Sequence, residues 1–203
     1  MKAIIGLTGQ SGAGKTTVSK AFEQSGFTVI NCDMIARKVT EAGSLCCKKL
    51  SEIFPECFSN DLVLDRRKMA EIVFSDKDKL EKLNQTIYPF INDMIKEKLN
   101  EAEKLSEFAL LDAPTLFEAG ADKLCDRIVS VIADEKTRLM RIISRDGISE
   151  ELAKKRFNSQ HTTEFFRQHS DYVIENNGDL SAVTDKTAEV INNIKERYNG
   201  GKG

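Results

Sequence analysis

The stretch Gly9-Gln10-Ser11-Gly12-Ala13-Gly14-Lys15-Thr16 decides how this chain reads. It satisfies G-x-x-x-x-G-K-[ST], the phosphate-binding loop of nucleotide triphosphatases and kinases. The flanks agree with it. Ala3 to Thr8 is a short apolar run of the kind that forms a buried parallel strand, and from Thr16 and Thr17 onward Val18 and Phe22 fall on one helical face. A polyphosphate carries several negative charges, so backbone N–H groups must crowd around it. Glycines at 9, 12 and 14 let the backbone turn and come close, and the helix that follows aims its positive end at the phosphates. Gly9 through Thr17 is therefore the expected nucleotide-binding segment. Lys15 reaches β/γ oxygens, and the Thr16 hydroxyl suits a Mg²⁺ position.

The rest of the composition sets limits. A chain of 203 residues predicts one domain, with room for an inserted lobe. With 40% hydrophobic and 31% charged residues it has the material for a packed core and is not a disordered chain. A net charge of -2 predicts no general attraction to nucleic acid or to an anionic membrane. No apolar run approaches the roughly 20 residues of a membrane helix, and no signal-peptide layout precedes the first strand. Five cysteines with no Cys-x-x-Cys pair read as thiols in a reducing cytoplasm. The two histidines, His161 and His169, form no metal or triad pattern.

After a helix ending near Gly26, Phe27 to Cys32 reads as a second strand and Met34 to Val39 as a helix. Asp33, between them, suits two roles: an N-cap, or a carboxylate that holds a hydroxyl nucleophile beside the phosphate loop. From 42 to 104 helical periods replace strands. Expected buried stripes are Leu45/Leu50/Ile53, Met69/Ile72/Val73, Leu80/Leu83/Ile87 and Ile91/Met94/Ile95/Leu99, with Pro89 starting a new helix. This block reads as a lobe over a substrate or as a plain insertion. Asp65-Arg66-Arg67-Lys68 meets an anion or is a solvated helix start. Phe108 to Asp112 is a third strand. Asp112 at its end is either a turn residue or a Mg²⁺ assistant. Asp126 to Ala133 is a fourth strand, near-continuously apolar in its second half. In the helix from Glu135 to Arg145, Arg138, Arg141 and Arg145 share a face at i, i+3 and i+7, which is either solvated or a phosphate clamp. A further helix from Ser149 carries Arg156 and Gln160. Asp171 to Ile174 is a fifth strand, and a last helix with Leu180, Val183, Val190, Ile191, Ile194 and Tyr198 precedes a polar tail from Asn199.

Taken together, the residues resemble the dephospho-coenzyme A kinase family, a branch of the P-loop kinases related to nucleoside-monophosphate kinases. The resemblance runs through Gly6 to Thr16, Asn31-Cys32-Asp33 with Ile35-Ala36-Arg37, Leu64-Asp65-Arg66, and Ile87-Tyr88-Pro89. It continues through Leu111 to Pro114 with Leu116-Phe117-Glu118, the three arginines, Arg156 with Ser159-Gln160, and Asp171 to Ile174 with Asn176 and Gly178. Three departures stand out. Asn31-Cys32-Asp33 replaces Asp-x-Asp, Tyr88-Pro89 replaces His-Pro, and Pro114-Thr115-Leu116-Phe117-Glu118 replaces Pro-Leu-Leu-Phe-Glu.

The resemblance implies a three-layer α/β/α fold with a five-stranded parallel sheet, a helical substrate-binding insertion at 42–104 and a lid helix pair at 135–169. The core would comprise 1–41, 105–134 and 170–203. It implies transfer of the ATP γ-phosphoryl group to the 3′-hydroxyl of dephospho-CoA, with ATP and Mg²⁺. Lys15, Asp33 and Arg141 would be catalytic, Gly9 to Thr17 with Arg138 and Arg145 would bind ATP, and Thr16 and Asp112 would serve the metal. The expected partner is a small molecule, not nucleic acid or membrane, in a cytoplasmic protein. A P-loop kinase of another nucleoside or nucleotide acceptor, or an ATP-binding regulatory module without transfer activity, would share the loop. A GTPase would want Asn-Lys-x-Asp, which is missing from the sequence.

Overall fold

The computed structural model describes residues 1–158 and 160–199. Ser159 and the tail from Gly200, which the sequence reading drew on, lie outside the described residues, as does the side chain of Leu180. The elements in chain order are β1 (Ala3–Gly9), α1 (Lys15–Gln24), β2 (Thr28–Asn31), α2 (Cys32–Val39), α3 (Leu45–Ile53), α4 (Arg66–Phe74), α5 (Lys77–Ala102), β3 (Phe108–Asp112), β4 (Arg127–Ile132), α6 (Glu135–Asp146), α7 (Glu150–Asn158), α8 (Thr163–His169), β5 (Tyr172–Glu175) and α9 (Leu180–Asn199). The chain divides into two compact units, one of residues 1–30 and 102 onward, the other of residues 31–101. The sequence reading set the start of the helical lobe at 42; the unit begins earlier and takes in α2.

The first unit is built on a sheet of order β2-β3-β1-β4-β5. β1 runs parallel to β3 on one side and to β4 on the other, and β4 runs parallel to β5. Central parallel strands are covered on both faces, which is why β1 and β3 are buried almost throughout. Leu7 aligns with Asp112, Gly9 with Val131, and Ile132 with Glu175. The loop after β1, the carboxylate ending β3 and the residues after β5 therefore share one edge of the sheet. This is the edge where parallel α/β sheets gather ligands.

Side chains alternate across the strands. Ile5, Leu7, Leu110, Val129, Val131 and Ile174 turn toward α1 and α9, where Val18, Phe22, Val190, Ile191 and Ile194 complete one core. Phe22 meets Phe27 edge-on at 4.9 Å, and Phe27 meets Phe108 at 5.1 Å. Ser130 turns the other way and bonds Ser170, just past α8, at 2.6 Å. The helices thus form a layer on each side of the sheet.

The helical unit has its own core of Cys46, Leu50, Phe54, Cys57, Met69 and Val73, with Ile72, Leu80, Leu83, Ile87 and Phe90 packed against it. Two expectations change here. Pro89 does not start a helix; it lies inside the 26-residue α5. An interior proline removes one ladder hydrogen bond, a loss of about 3 kcal/mol. Burial on both sides of it, at Ile87 and Phe90 and at Ile91, Ile95 and Leu99, holds the helix together. In α3, Leu45 and Ile53 are exposed, while Cys46, Cys47 and Leu50 face inward. The thiols behave as small hydrophobes, and burial together with the neighbouring Cys47 raises the Cys46 pKa to about 11, so it stays protonated. All five cysteines are thiols.

Caps correct two more readings. Asn31, in an extended conformation, caps α2 by accepting from Met34 N–H at 2.9 Å. Asp33 is therefore not the N-cap. It lies in the first turn, where its charge suits the helix dipole. The segment after Gly147 is two helices: α7 stops at Asn158, and α8 starts after Thr162, whose side chain accepts from Phe165 N–H. Gln160 lies in the connection. Asp65 caps α4, Arg66 donates to Thr40 Oγ1 at 2.6 Å, and the exposed Arg67 pairs with Glu71. None of the helices among the described residues is long and apolar enough to cross a membrane.

Leu110 is fully buried at the centre of β3. Leu110→Ala should lower unfolding stability by about 2–5 kcal/mol through lost transfer energy and a residual cavity. Urea denaturation of both proteins checks this, and a loss under about 1 kcal/mol would mean that the site collapses around the deletion.

Candidate active site

The loop between β1 and α1 is held from outside. Asn176, buried just past β5, donates from Nδ2 to the carbonyl of Ala13 at 2.8 Å. Arg141 donates to the carbonyl of Gly12 at 3.2 Å, to the carbonyl of Asn176 at 3.0 Å and to Asn176 Oδ1 at 2.9 Å. Gln10 N–H bonds Val131 on β4, and Ala13 N–H closes a turn onto Gln10. What remains inside is a concavity of amides. The N–H groups of Gly12, Gly14, Lys15 and Thr16 have no acceptor among the described residues. Those of Lys15 and Thr16 belong to the first turn of α1, which has no intrahelical partner to offer them. Successive free amides at a helix start form an anion nest.

The glycines are steric requirements here. A Cβ on Gly14, at φ 93°, would stand 2.2 Å from Asn176 Nδ2, and one on Gly12 would stand 2.7 Å from the Arg138 carbonyl. The backbone approaches its supports so closely that only a hydrogen fits.

Lys15 Nζ forms an ion pair with Asp112 Oδ1, the carboxylate that ends β3. Asp112 is only 6% exposed. The register pairing of Leu7 with Asp112 delivers the carboxylate to the loop. Thr16 and Thr17, in the first turn of α1, are exposed. The Thr16 hydroxyl and the Asp112 carboxylate are both hard oxygen donors, a set that fits Mg²⁺ completed by phosphate oxygens and water. Among the described residues no group of three or more His, Cys, Asp or Glu is placed to hold a metal ion.

The three arginines of α6 part company. Arg141 serves the loop. Arg138 is 7% exposed, lies beside Gly12 and stacks on Phe157 at 4.2 Å, and its Nε has no partner among the described residues. Burial lowers its pKa from the usual arginine value. Arg145 points elsewhere, in a two-point pair with Asp146 at 2.6 and 2.9 Å, joined by Arg156. Of the two roles open to that face, neither covers all three arginines. Asp33 belongs to the other compact unit. That unit carries an open cavity of about 490 Å³, lined by Lys49, Glu52, Gln85, Thr86, Phe90 and Asp93, with Lys49 5.3 Å from the Phe90 ring centre.

Sequence reading missed the supporting contacts. Asn176 enters the sequence reading through the family resemblance, with no role given to it, and Gln160 is expected on a helix, whereas its amide meets Ser11 at two points, 3.1 and 3.2 Å. The position of Asn176, one residue past a strand at the ligand edge, was the available signal.

A family model described as dephospho-CoA kinase matches residues 3–182. The dephospho-CoA kinase of Fusobacterium nucleatum subsp. nucleatum is 41% identical over 196 residues, 94% of this chain and 98% of that one. A solved structure from Thermus thermophilus is similar with a TM-score of 0.84 at 30% identity, over 95% of this chain and 97% of that chain. One titled dephospho-CoA kinase from Campylobacter jejuni has a TM-score of 0.70 at 26% identity, over 97% and 98%.

The hydrogen bond from Arg145 holds the Asp146 carboxyl at about 2, below the ordinary 3.8. A depressed carboxyl stabilises the fold above its unfolded pKa, and that contribution is lost as pH falls through about 2. Asp146→Asn should therefore lower stability at neutral pH and flatten its dependence between pH 4 and 2, as read from thermal midpoints across that range. Parallel curves for the two proteins would remove the linkage.

Proposed function

The chain belongs to the dephospho-CoA kinase family, and from that premise we propose that it transfers the ATP γ-phosphoryl group to the 3′-hydroxyl of dephospho-CoA, the last step of coenzyme A biosynthesis, using the loop Gly9 to Thr17. The observation that carries this reading is the nest of amides at Gly12, Gly14, Lys15 and Thr16, which have no acceptor among the described residues, backed by Arg141 and Asn176. Phosphoryl transfer spreads charge over peripheral oxygens and asks the protein chiefly for alignment and charge stabilisation.

In this mechanism the nest holds the ATP phosphates. Lys15 turns from Asp112 to the β/γ oxygens, exchanging one anionic partner for another. Thr16 and Asp112 would hold Mg²⁺, which would supply positive charge against the phosphates. Arg141 brings a permanent positive charge to the loop while bracing it. Arg138 contributes to nucleotide binding through its unpartnered Nε; Arg145 would have to leave Asp146 to do so. Asp33 accepts or orients the proton of the acceptor hydroxyl. The helical unit, with its cavity along α3 and α5, encloses the acceptor. Segment 135–169 serves as a lid that keeps water, the competing nucleophile, away from the γ-phosphate. The compartment that fits these substrates and the thiols is the cytoplasm.

Lys15→Ala should lower kcat about 10²- to 10³-fold, as loss of an electrostatic partner at the reacting phosphate does. Asp33→Asn should lower kcat about 10²- to 10⁴-fold with an unchanged circular dichroism spectrum. Wild-type turnover in Asp33→Asn would remove the base role. Chelation with EDTA should stop turnover, and Mg²⁺ should restore it. The decisive assay couples ADP release to ATP, Mg²⁺ and a panel of acceptors containing dephospho-CoA, nucleosides and nucleotides. Turnover with another acceptor and none with dephospho-CoA would overturn the assignment.

A further inference from the structure

The first half of the phosphate loop has a support to which the chemistry above gives no part. Gln160 Oε1 accepts from Ser11 N–H at 3.1 Å, and Gln160 Nε2 donates to Ser11 Oγ at 3.2 Å. Three residues on, Thr163 Oγ1 accepts from Gln10 Nε2 at 3.2 Å and lies 3.4 Å from Gln10 Oε1. Gln10 itself is 5% exposed. The connection before α8 and the first residue of that helix therefore grip Gln10 and Ser11, while Arg141 and Asn176 grip Gly12 and Ala13.

The two-point bond needs a carboxamide. Only an amide side chain offers one acceptor and two donors in one plane, which Ser11 meets with its N–H and its hydroxyl. Other contacts seat α8 without help from Gln160. Phe166 is buried, Phe165 meets Phe117 edge-on at 5.1 Å, and His161 stacks on Phe165 at 3.7 Å. A clamp that α8 does not need for its own packing has its effect on the loop.

We propose that Gln160 is a positioning residue for the phosphate loop. By holding the Gln10–Ser11 peptide and the Ser11 side chain it fixes the residue from which the Gly12 amide extends, and so bears on the loop's affinity for the triphosphate. This rests on the reading that the loop binds ATP, and it carries a consequence: Gln160, the start of α8 and the nucleotide site are mechanically one piece. Nucleotide affinity then responds to whatever moves Gln160.

The test measures ATP binding by calorimetry on the whole protein without acceptor, together with steady-state kinetics, for wild type, Gln160→Ala, Gln160→Glu, Ser11→Ala and the Ser11→Ala/Gln160→Ala double variant. Gln160→Ala should weaken ATP binding about 5- to 10-fold, the range expected for loss of paired hydrogen bonds. The KM for dephospho-CoA should stay near wild type. Gln160→Glu keeps the acceptor but adds a negative charge beside the polyphosphate, so its ATP affinity should fall and recover partly with added salt. In the Gln160→Ala background, Ser11→Ala should have little further effect, because the hydroxyl has already lost its partner. If Gln160→Ala binds ATP within about twofold of wild type, or the two substitutions add, the positioning role is overturned. If the wild-type chain itself binds no ATP, the kinase reading falls first and the positioning role with it.

Discussion

The bond from Asn176 Nδ2 to the carbonyl of Ala13 is the contact on which the site depends. A peptide unit is planar and trans, so fixing its C=O outward turns its N–H the opposite way. For the Ala13–Gly14 peptide this directs Gly14 N–H into the nest. Loop amides that were free to rotate would have to be ordered when a phosphate binds, at an entropic cost in each binding event. Here folding has already ordered them. Asn176 has no room to spare: a methyl group on Gly14 would occupy its position. Support and approach are one geometric fact.

Arg141 extends the same logic. It does not wait in solvent for a phosphate; its guanidinium bridges the loop to the end of β5. A planar fork of donors suits carbonyl oxygens as well as phosphate, so one residue supports the loop and supplies charge. Lys15 and Asp112 are complementary in another way. Each charge is largely removed from water and each is satisfied by the other. The sheet register makes the pair possible by placing the end of β3 beside the end of β1.

How much of this was legible in the sequence varies with the kind of signal. The phosphate loop, the strands and Asp112 at a strand end were legible because each is a local pattern: glycine spacing, an apolar run, a carboxylate at its end. Strand limits shifted by about one residue, as at β2 and β5. Errors gathered where helices begin and end. Asn31 displaced Asp33 as the cap because capping depends on which residue is extended before the first turn. Pro89 failed to break α5 because tertiary burial outweighed a local penalty. The three arginines were legible as neighbours on one face, but not in their fates. Those depended on Phe157, Asp146 and the loop carbonyls, none of which periodicity reveals.

The sequence by itself determined that a polyphosphate cradle sits between a buried strand and a helix, and that the chain is an α/β protein with a helical insertion. These follow from interactions within a few residues, or from one-dimensional periods that report which face is buried. Only the tertiary structure decided what holds the cradle. Gln160, Arg141 and Asn176 are between 129 and 163 residues from the loop atoms they bind. Contacts over such separations exist only because parallel strands bring distant chain ends to one edge of a sheet, and no local pattern encodes that meeting.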